Sequence, residues 1–261
     1  MKPEKHLIIS SYNHHVGELA NLGIPFTIYD QSDDLEIAEQ LNKEYGALQR
    51  NNCGHSLSNM FEYISENYDS LPEILIFVKA NIVPRHCTKE YFTENIHNDF
   101  YTQLYHEENP RIISGTSDYL TPGYFLEKNN SWYSTTRDHH LFCEFGDFYN
   151  FLFSGRKEPE WLSFSPGACF IVESDRVLRY PKSFWQALNR ISTYIYFPAE
   201  AYMVERLLPA IFQSSLSLQP WILDSNLVDQ KIDALLANSI RHSCRTNPMK
   251  SSISKLLHLF D

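Results

Sequence analysis

The chain has 261 residues, 43% of them hydrophobic and 21% charged, which is enough length and apolar content for a globular protein with a sizeable core. Its formal net charge of −10 excludes a non-specific nucleic-acid binder, because phosphate binding needs a net basic footprint. No apolar run reaches the length of a membrane span, the start leads straight into a strand without a signal peptide, and the cysteines at 53, 87, 143, 169 and 244 contain no CxxC pair; scattered in this way they predict buried or free thiols in a reducing, cytoplasmic setting rather than a disulfide frame or a zinc site.

In chain order, His6 to Ser11 predicts a short strand with Tyr12-Asn13-His14-His15 at its carboxyl end. Val16 to Ile24 predicts a short helix ending near Gly23. Pro25 to Tyr29 is a second strand that empties into Asp30-Gln31-Ser32-Asp33-Asp34, and Leu35 to Gly46 follows as a helix with Leu35, Ala38 and Leu41 on one side. Leu57, Met60, Phe61, Ile64 and Tyr68 recur at spacings of three and four, so the next helix has one apolar face. Asn51 or Asn52 is its expected cap, and Gly54 lets another group approach its first free N–H donors. Pro72 stops that helix, and Ile74 to Val78 forms a strand covered on both faces. It empties into Lys79, Ala80 and Asn81 and, after Ile82-Val83-Pro84, into Arg85 and His86. This alternation predicts an α/β domain with a largely parallel sheet flanked by helices. Ligands of such sheets bind beyond the carboxyl ends of the strands, so Tyr12, Asn13, the three aspartates, Lys79 and Asn81 are expected on one rim.

Thr88 to Asn109 reads as helical and polar, and Arg111 to Ser114 as a further strand. Residues 115–160 form a long connection rich in Gly, Asn, Ser, Asp and aromatics, with Trp132, Tyr133, Arg137, Asp138, His139 and His140; connections of that length are binding loops, lids or disordered stretches. Pro166-Gly167 makes a turn, Ala168 to Val172 a strand, Ser174 or Asp175 a cap, and Pro181 a break before another helix. A helix over Tyr194 to Phe212 begins near Pro198, and the remainder from Gln213 is read as helical. Residues 1–212 are thus one α/β domain and 213–261 a helical extension packed on it. The closing stretch NPMKSSISKLLHLFD suggests an amphipathic helix for a membrane surface, a partner, or the parent domain.

Three features carry a resemblance. Tyr29-Asp30-Gln31-Ser32-Asp33-Asp34 resembles the Asp-rich turn after the second strand of family-2-type glycosyltransferases of the GT-A fold, and Asn52-Cys53-Gly54-His55-Ser56 resembles their N-x-G-x-S-like helix start. Phe77-Val78-Lys79-Ala80-Asn81 sits where their metal-binding Asp-x-Asp belongs. Separately, NCGHSLSNMFEYISENYDSLPEILIFVKA and PGACFIVESDRVLRYPKSFWQAL resemble a domain-of-unknown-function family with a "NYD-x-LPD" turn and a "GA-x-F-x-V" strand-helix unit. Together the similarities span roughly residues 6 to 210. They imply a GT-A-like fold with a nucleotide-sugar donor as substrate and a glycan or lipid-linked acceptor, in surface polysaccharide assembly.

The departure at Lys79 and Asn81 bears on any cofactor. A charged ammonium is no metal ligand, and an amide is a poor substitute for a carboxylate. Either the enzyme is metal-independent, with Lys79 and Arg85 offsetting the diphosphate charge, or the site binds no nucleotide; the alternative class is a non-catalytic carbohydrate- or nucleotide-binding protein that keeps the scaffold without its metal site. Donor contacts are expected from Tyr12, Asn13, Asp30, Asn52, Gly54, Lys79, Asn81, Arg85 and His86, and acceptor contacts from Trp132, Tyr133 and Gly167. Asp33 and Asp34 read equally as a solvated turn capping the next helix, and Trp132 and Tyr133 as core. Inverting transfer needs a group to take the acceptor proton. Glu200 is the first candidate, with Asp138 and Glu205 as rivals, although an acid in a first helical turn also favours the helix dipole. Adjacent histidines at 14–15 and 139–140 would point to opposite faces of a strand, so they read as polar loop residues rather than metal ligands.

Overall fold

The first apolar run forms β1 (Lys5–Ser11), which takes the interior of the main sheet because Leu7, Ile8 and Ile9 are all buried, so neither face meets water. In this computed structural model, residues 3–108, 117–121, 123–136, 140–155 and 157–239 are described. A 3-10 turn (Gly17–Asn21) leads to β2 (Phe26–Asp30), which pairs in parallel with β1 so that Ser11 stands opposite Asp30. α1 (Leu35–Tyr45) starts on Asp34, whose carboxylate accepts from the amides of Glu36 and Ile37, and ends on Gly46 in the left-handed conformation. Two residues of β3 (Leu48–Gln49) extend the sheet beyond β2. α2 (His55–Glu66) then crosses over, and β4 (Ile74–Lys79) pairs in parallel on the opposite side of β1.

α3 (Ile82–Arg85), α4 (Lys89–Asn95) and β5 (Thr102–Gln103) follow. A separate antiparallel sheet joins β6 (Ser117–Thr121) and β7 (Tyr124–Lys128), with α5 (Trp132–Thr136) and α6 (Phe145–Leu152) next in the chain, to β8 (Trp161–Phe164). β9 (Phe170–Glu173) returns to the main sheet, antiparallel to both β4 and β5, giving the order β3-β2-β1-β4-β9-β5. α7 (Ser174–Val177), α8 (Lys182–Thr193), α9 (Ala199–Gln213) and α10 (Ser225–Ser239) complete the described residues. The result is a mixed α/β fold with a mostly parallel central sheet, flanking helices and a helical C-terminal region.

Alternate strand residues feed opposite faces of the sheet. Ile8, Leu75 and Phe77 pack with Phe61 and Ile64 of α2 and with Trp185, Leu207 and Phe212 of α8 and α9. Leu7, Ile9, Ile76 and Val78 pack on the other face with Leu19, Leu41, Phe92 and Ile96.

The small sheet is fastened to α9 by a charge pair. Arg206 donates from Nε and Nη2 to the two carboxylate oxygens of Glu127 at 2.8 and 2.9 Å, with side-chain exposures of only 4% and 7%. The guanidinium lies over the rings of Phe164 and Tyr133, 4.3 and 5.0 Å from their centroids. Bidentate geometry and aromatic faces are what make such a buried pair tolerable.

Several expectations are corrected. The polar stretch after Thr88 is helical only through α4 before it becomes β5. Residues 115–160 are not a plain connection: they hold two strands and two helices, with Phe145, Phe148, Tyr149 and Leu152 of α6 buried. α2 starts at Gly54 with no side-chain cap, so neither Asn51 nor Asn52 caps it, and α7 likewise starts on Glu173 with no side-chain cap. Leu35 is exposed, leaving Ala38 and Leu41 as the buried face of α1. Ser214 to Gln219 is not helical. Cys53, Cys87 and Cys169 are free, as expected of thiols, but Cys143 is disulfide-bonded; spacing along a chain does not reveal which cysteines meet in the fold. The strand expected at 111–114, Asp138 and the terminal amphipathic segment lie outside the described residues. Among the described residues no helix is long and apolar enough to cross a membrane.

Removing one partner of the Arg206–Glu127 pair strands a buried charge. Arg206→Ala should therefore lower unfolding stability by about 3–5 kcal/mol, measured by urea denaturation, whereas Arg206→Met combined with Glu127→Leu should recover most of the loss. A loss below about 1 kcal/mol for the single variant, the level of an exposed pair, would show that the pair is not the fastening described.

Candidate functional site

The chain leaves β1 toward β2 and β3 on one side and later places β4 on the other. The connections from the carboxyl ends of β1 and β4 therefore diverge, and a crevice opens where they part. A cleft of about 370 Å³ occupies that position. Ser10, Ser11, Tyr12 and His14 contribute from the end of β1, and Lys79, Ala80 and Asn81 from the end of β4. Asn52, His55 and Ser56 supply a wall at the start of α2, with Gln31 and Arg85 completing the lining. The side chains of Asn81 and His14 meet across the crevice, Nδ2 to Nε2, at 3.0 Å. Gln31, buried at the end of β2, donates to the carbonyls of Asn51 and Cys53 and to Ser58 Oγ, and so fixes the loop that precedes α2.

The charge of the cleft opposes that of the chain. Lys79 and Arg85 line it, and no Asp or Glu does. Among the described residues neither cation forms an ion pair within 4.0 Å. On the cleft wall His55 adopts a φ of 51°, and Asn13, between the lining residues Tyr12 and His14, a φ of 54°, a region that non-glycine residues seldom occupy.

Of the residues singled out from sequence, Tyr12, Asn52, Lys79, Asn81 and Arg85 are brought together on the cleft. The other described ones are placed elsewhere. Asp30 is buried, and its carboxylate accepts from the Ser32 amide and hydroxyl and from Gln49 Nε2, so its acceptor sites serve the turn rather than a ligand. Asn13 brackets the same turn: its Nδ2 donates to Asp33, and its Oδ1 accepts from the amides of Asp33 and Asp34. Gly54 does admit a close neighbour, but that neighbour is the end of α8. A Cβ at Gly54 would stand 2.8 Å from Thr193 Cγ2 and 2.9 Å from the Ser192 carbonyl oxygen.

His86 is 9% exposed and packs against Gly167, where an added Cβ would come within 2.8 Å of the imidazole. Burial, followed by the charges of Lys79 and Arg85, pushes its pKa down to about 3, so the ring is neutral at neutral pH. Gly167 (φ +94°) donates its N–H to Glu205 Oε1 at 2.8 Å, and its carbonyl accepts from Ser56. Glu205 thus holds the turn behind the cleft. Tyr133 is buried and Trp132 partly so, and both rings enclose Arg206 rather than facing the cleft. Glu200 is fully buried: Oε1 accepts from the amides of Leu141 and Phe142, and Oε2 from the Tyr194 hydroxyl at 3.0 Å. Desolvation raises its pKa above the usual carboxylate range. The side chain anchors the 141–142 segment and has no route to an acceptor proton in the cleft. Sequence reasoning passed over His14, His55, Ser56 and Gln31 as lining residues.

Lys79 and Asn81 line the crevice, and among the described residues no group of three His, Cys, Asp or Glu could hold a metal ion.

Residues 26–221 match the family described as "Protein of unknown function (DUF3431)". The chain belongs to that family. The match covers the strand ends that carry Gln31 and Lys79, the start of α2, Arg85 and the Gly167 turn, while Tyr12 and His14 precede it. No curated protein and no solved structure matches the chain.

The buried imidazole sets a pH dependence. Because the folded pKa of His86, about 3, lies below its ordinary 6.5, only the unfolded chain takes up that proton as pH falls through 6.5. The stability contributed is complete above that value and is lost progressively toward the folded pKa, at up to about 1.4 kcal/mol per pH unit. Unfolding free energies of the wild type between pH 7 and roughly pH 4 should fall more steeply than those of His86→Gln. Parallel slopes would contradict the assignment.

Proposed function

We propose that the cleft binds the diphosphate of a nucleotide sugar and that the protein transfers the sugar to a glycan or lipid-linked acceptor. The observation that carries this reading is a crevice at a sheet switch point that gathers Lys79 and Arg85 without a carboxylate, in a chain of net charge −10. In such a transfer the bond from the anomeric carbon to the diphosphate oxygen breaks as one to the acceptor oxygen forms. Negative charge builds on the departing diphosphate, and two fixed cations beside a helix start stabilise it without a metal. The acceptor hydroxyl releases a proton; of the lining groups, the imidazoles of His14 and His55 are of the chemical type that can take it up. The acceptor class, its place in surface polysaccharide assembly and a site of action at the inner face of the membrane rest on the resemblance alone.

A specific observation favours a second reading, a non-catalytic nucleotide- or carbohydrate-binding protein on the same scaffold: Glu200 is engaged in three hydrogen bonds away from the cleft, and no carboxylate lines the cleft. Slow hydrolysis of the donor without acceptor separates the two, since an enzyme releases nucleoside diphosphate and a binder does not.

The test of the main reading is a thermal-shift screen of UDP-, GDP-, CMP- and TDP-sugars, with and without Mn²⁺, on wild type and Lys79→Ala. A ligand at about a hundred times its dissociation constant adds roughly 2.7 kcal/mol of stability, a readily measured rise in Tm. A metal-insensitive rise for one donor, lost in Lys79→Ala, is expected. No rise with any nucleotide would overturn the proposal.

A further inference from the structure

Two exposed aromatic rings from distant parts of the chain come near the cleft, Tyr12 in its lining and Tyr196 beside the lining residue His55. Tyr12, at the end of β1, is 41% exposed, and Tyr196, in the connection between α8 and α9, is 59% exposed. Tyr12 is held in place by its hydroxyl, which donates to Asp33 Oδ2 at 3.0 Å. Tyr196 is held by its backbone, whose carbonyl accepts from the Gly54 amide at the start of α2. Its ring lies 6.3 Å from that of His55, a cleft-lining residue whose other side packs on Phe197 at 4.0 Å. The Tyr12 phenol, raised above its ordinary pKa chiefly by the bond to Asp33, also feels the Tyr196 phenol, so the two lie within electrostatic range of each other. Neither ring is buried in the core, so both are accessible to a ring-bearing ligand.

Resting on the anion-binding reading of the cleft, we propose that Tyr196 is a specificity-determining residue: beside His55 at the cleft it stacks on the base of a nucleoside diphosphate whose phosphates reach Lys79 and Arg85. The cleft then selects a nucleoside diphosphate over a bare diphosphate. The selection comes from stacking rather than from hydrogen bonds to the base edge, so it tolerates more than one base. Tyr196 comes from the opposite half of the chain to the strand-end turns that suggested a nucleotide site in the sequence. Only the approach of the α8–α9 connection to Gly54 brings it there.

Titration calorimetry on the full chain tests this with UDP, GDP, CDP and TDP, inorganic pyrophosphate and glucose 1-phosphate, using wild type, Tyr196→Ala, Tyr196→Phe and Lys79→Ala. The exposure of Tyr196 makes its variants compatible with folding, which melting curves verify. Expected is tighter binding of at least one nucleoside diphosphate than of pyrophosphate. Tyr196→Ala should weaken the nucleotide roughly ten-fold, the scale of one base–aromatic stack, leave pyrophosphate unchanged, and be rescued by Tyr196→Phe. Lys79→Ala should weaken both. Pyrophosphate binding as tightly as every nucleotide, or nucleotide binding untouched in Tyr196→Ala, would overturn the stacking role while leaving the anion site standing. Glucose 1-phosphate losing affinity in Tyr196→Ala as much as the nucleotides do would overturn the base in favour of a sugar ring. No binding of any phosphate compound to the wild type would overturn the anion site itself, and the stacking role with it.

Discussion

The cleft exists because the chain, having laid β2 and β3 on one side of β1, crosses over through α2 and lays β4 on the other. Parallel pairing of β1 with both neighbours brings three carboxyl ends to one rim, and because the strand order reverses at β1, with β2 added on one side and β4 on the other, the exits of β1 and β4 stay apart. Lys79 and Asn81 are delivered to the rim by the register of β4, where Ser10 stands opposite Lys79. The wall comes from the start of α2, which can lie so close to the end of α8 only because Gly54 has no Cβ and tolerates φ of +69°. A slip of one residue in β4 would turn Lys79 to the other face of the sheet and dissolve the cation pair.

The polar groups that are fully buried serve a different purpose from those on the rim. Glu200, Asp30 and the Arg206–Glu127 pair each have their lone pairs or N–H groups engaged by the protein itself. They join segments far apart in sequence: 141–142 to α9, the β2 turn to β3, and the small sheet to α9. A buried carboxylate without such partners would cost far more than it contributes. By contrast, Lys79 and Arg85 form no ion pair among the described residues, and that separates a group available to a ligand from one that holds the fold.

How much was legible in the sequence follows from the range of the interactions. β1, β2, α1, α2 and β4 were readable because apolar runs and three-four spacings are local signals, and the rim followed from their order. β3 and β5 are two residues each, too short to carry any period. In β8, Leu162 and Phe164 alternate inward while Trp161 and Ser163 face out, a true strand signal over only four residues. The aromatic-rich 115–160 stretch read as a loop because its strands are short and the Arg206 that its rings surround lies elsewhere in the chain. Glu200 was legible as an acid at a helix start, but not as one engaged by amides about sixty residues earlier. Tyr196 carried no signal at all: its place beside the cleft depends on packing at Gly54.

The central claim is that the β1–β4 crevice is an anion site built on Lys79 and Arg85. Crystals soaked in tungstate, a phosphate mimic whose metal scatters anomalously, would locate that site directly. The account predicts an anomalous peak in the crevice within hydrogen-bonding reach of the Lys79 ammonium and the Arg85 guanidinium, absent from crystals of Lys79→Ala combined with Arg85→Ala. Peaks only at other surface lysines, or an empty crevice in the wild type, would contradict it.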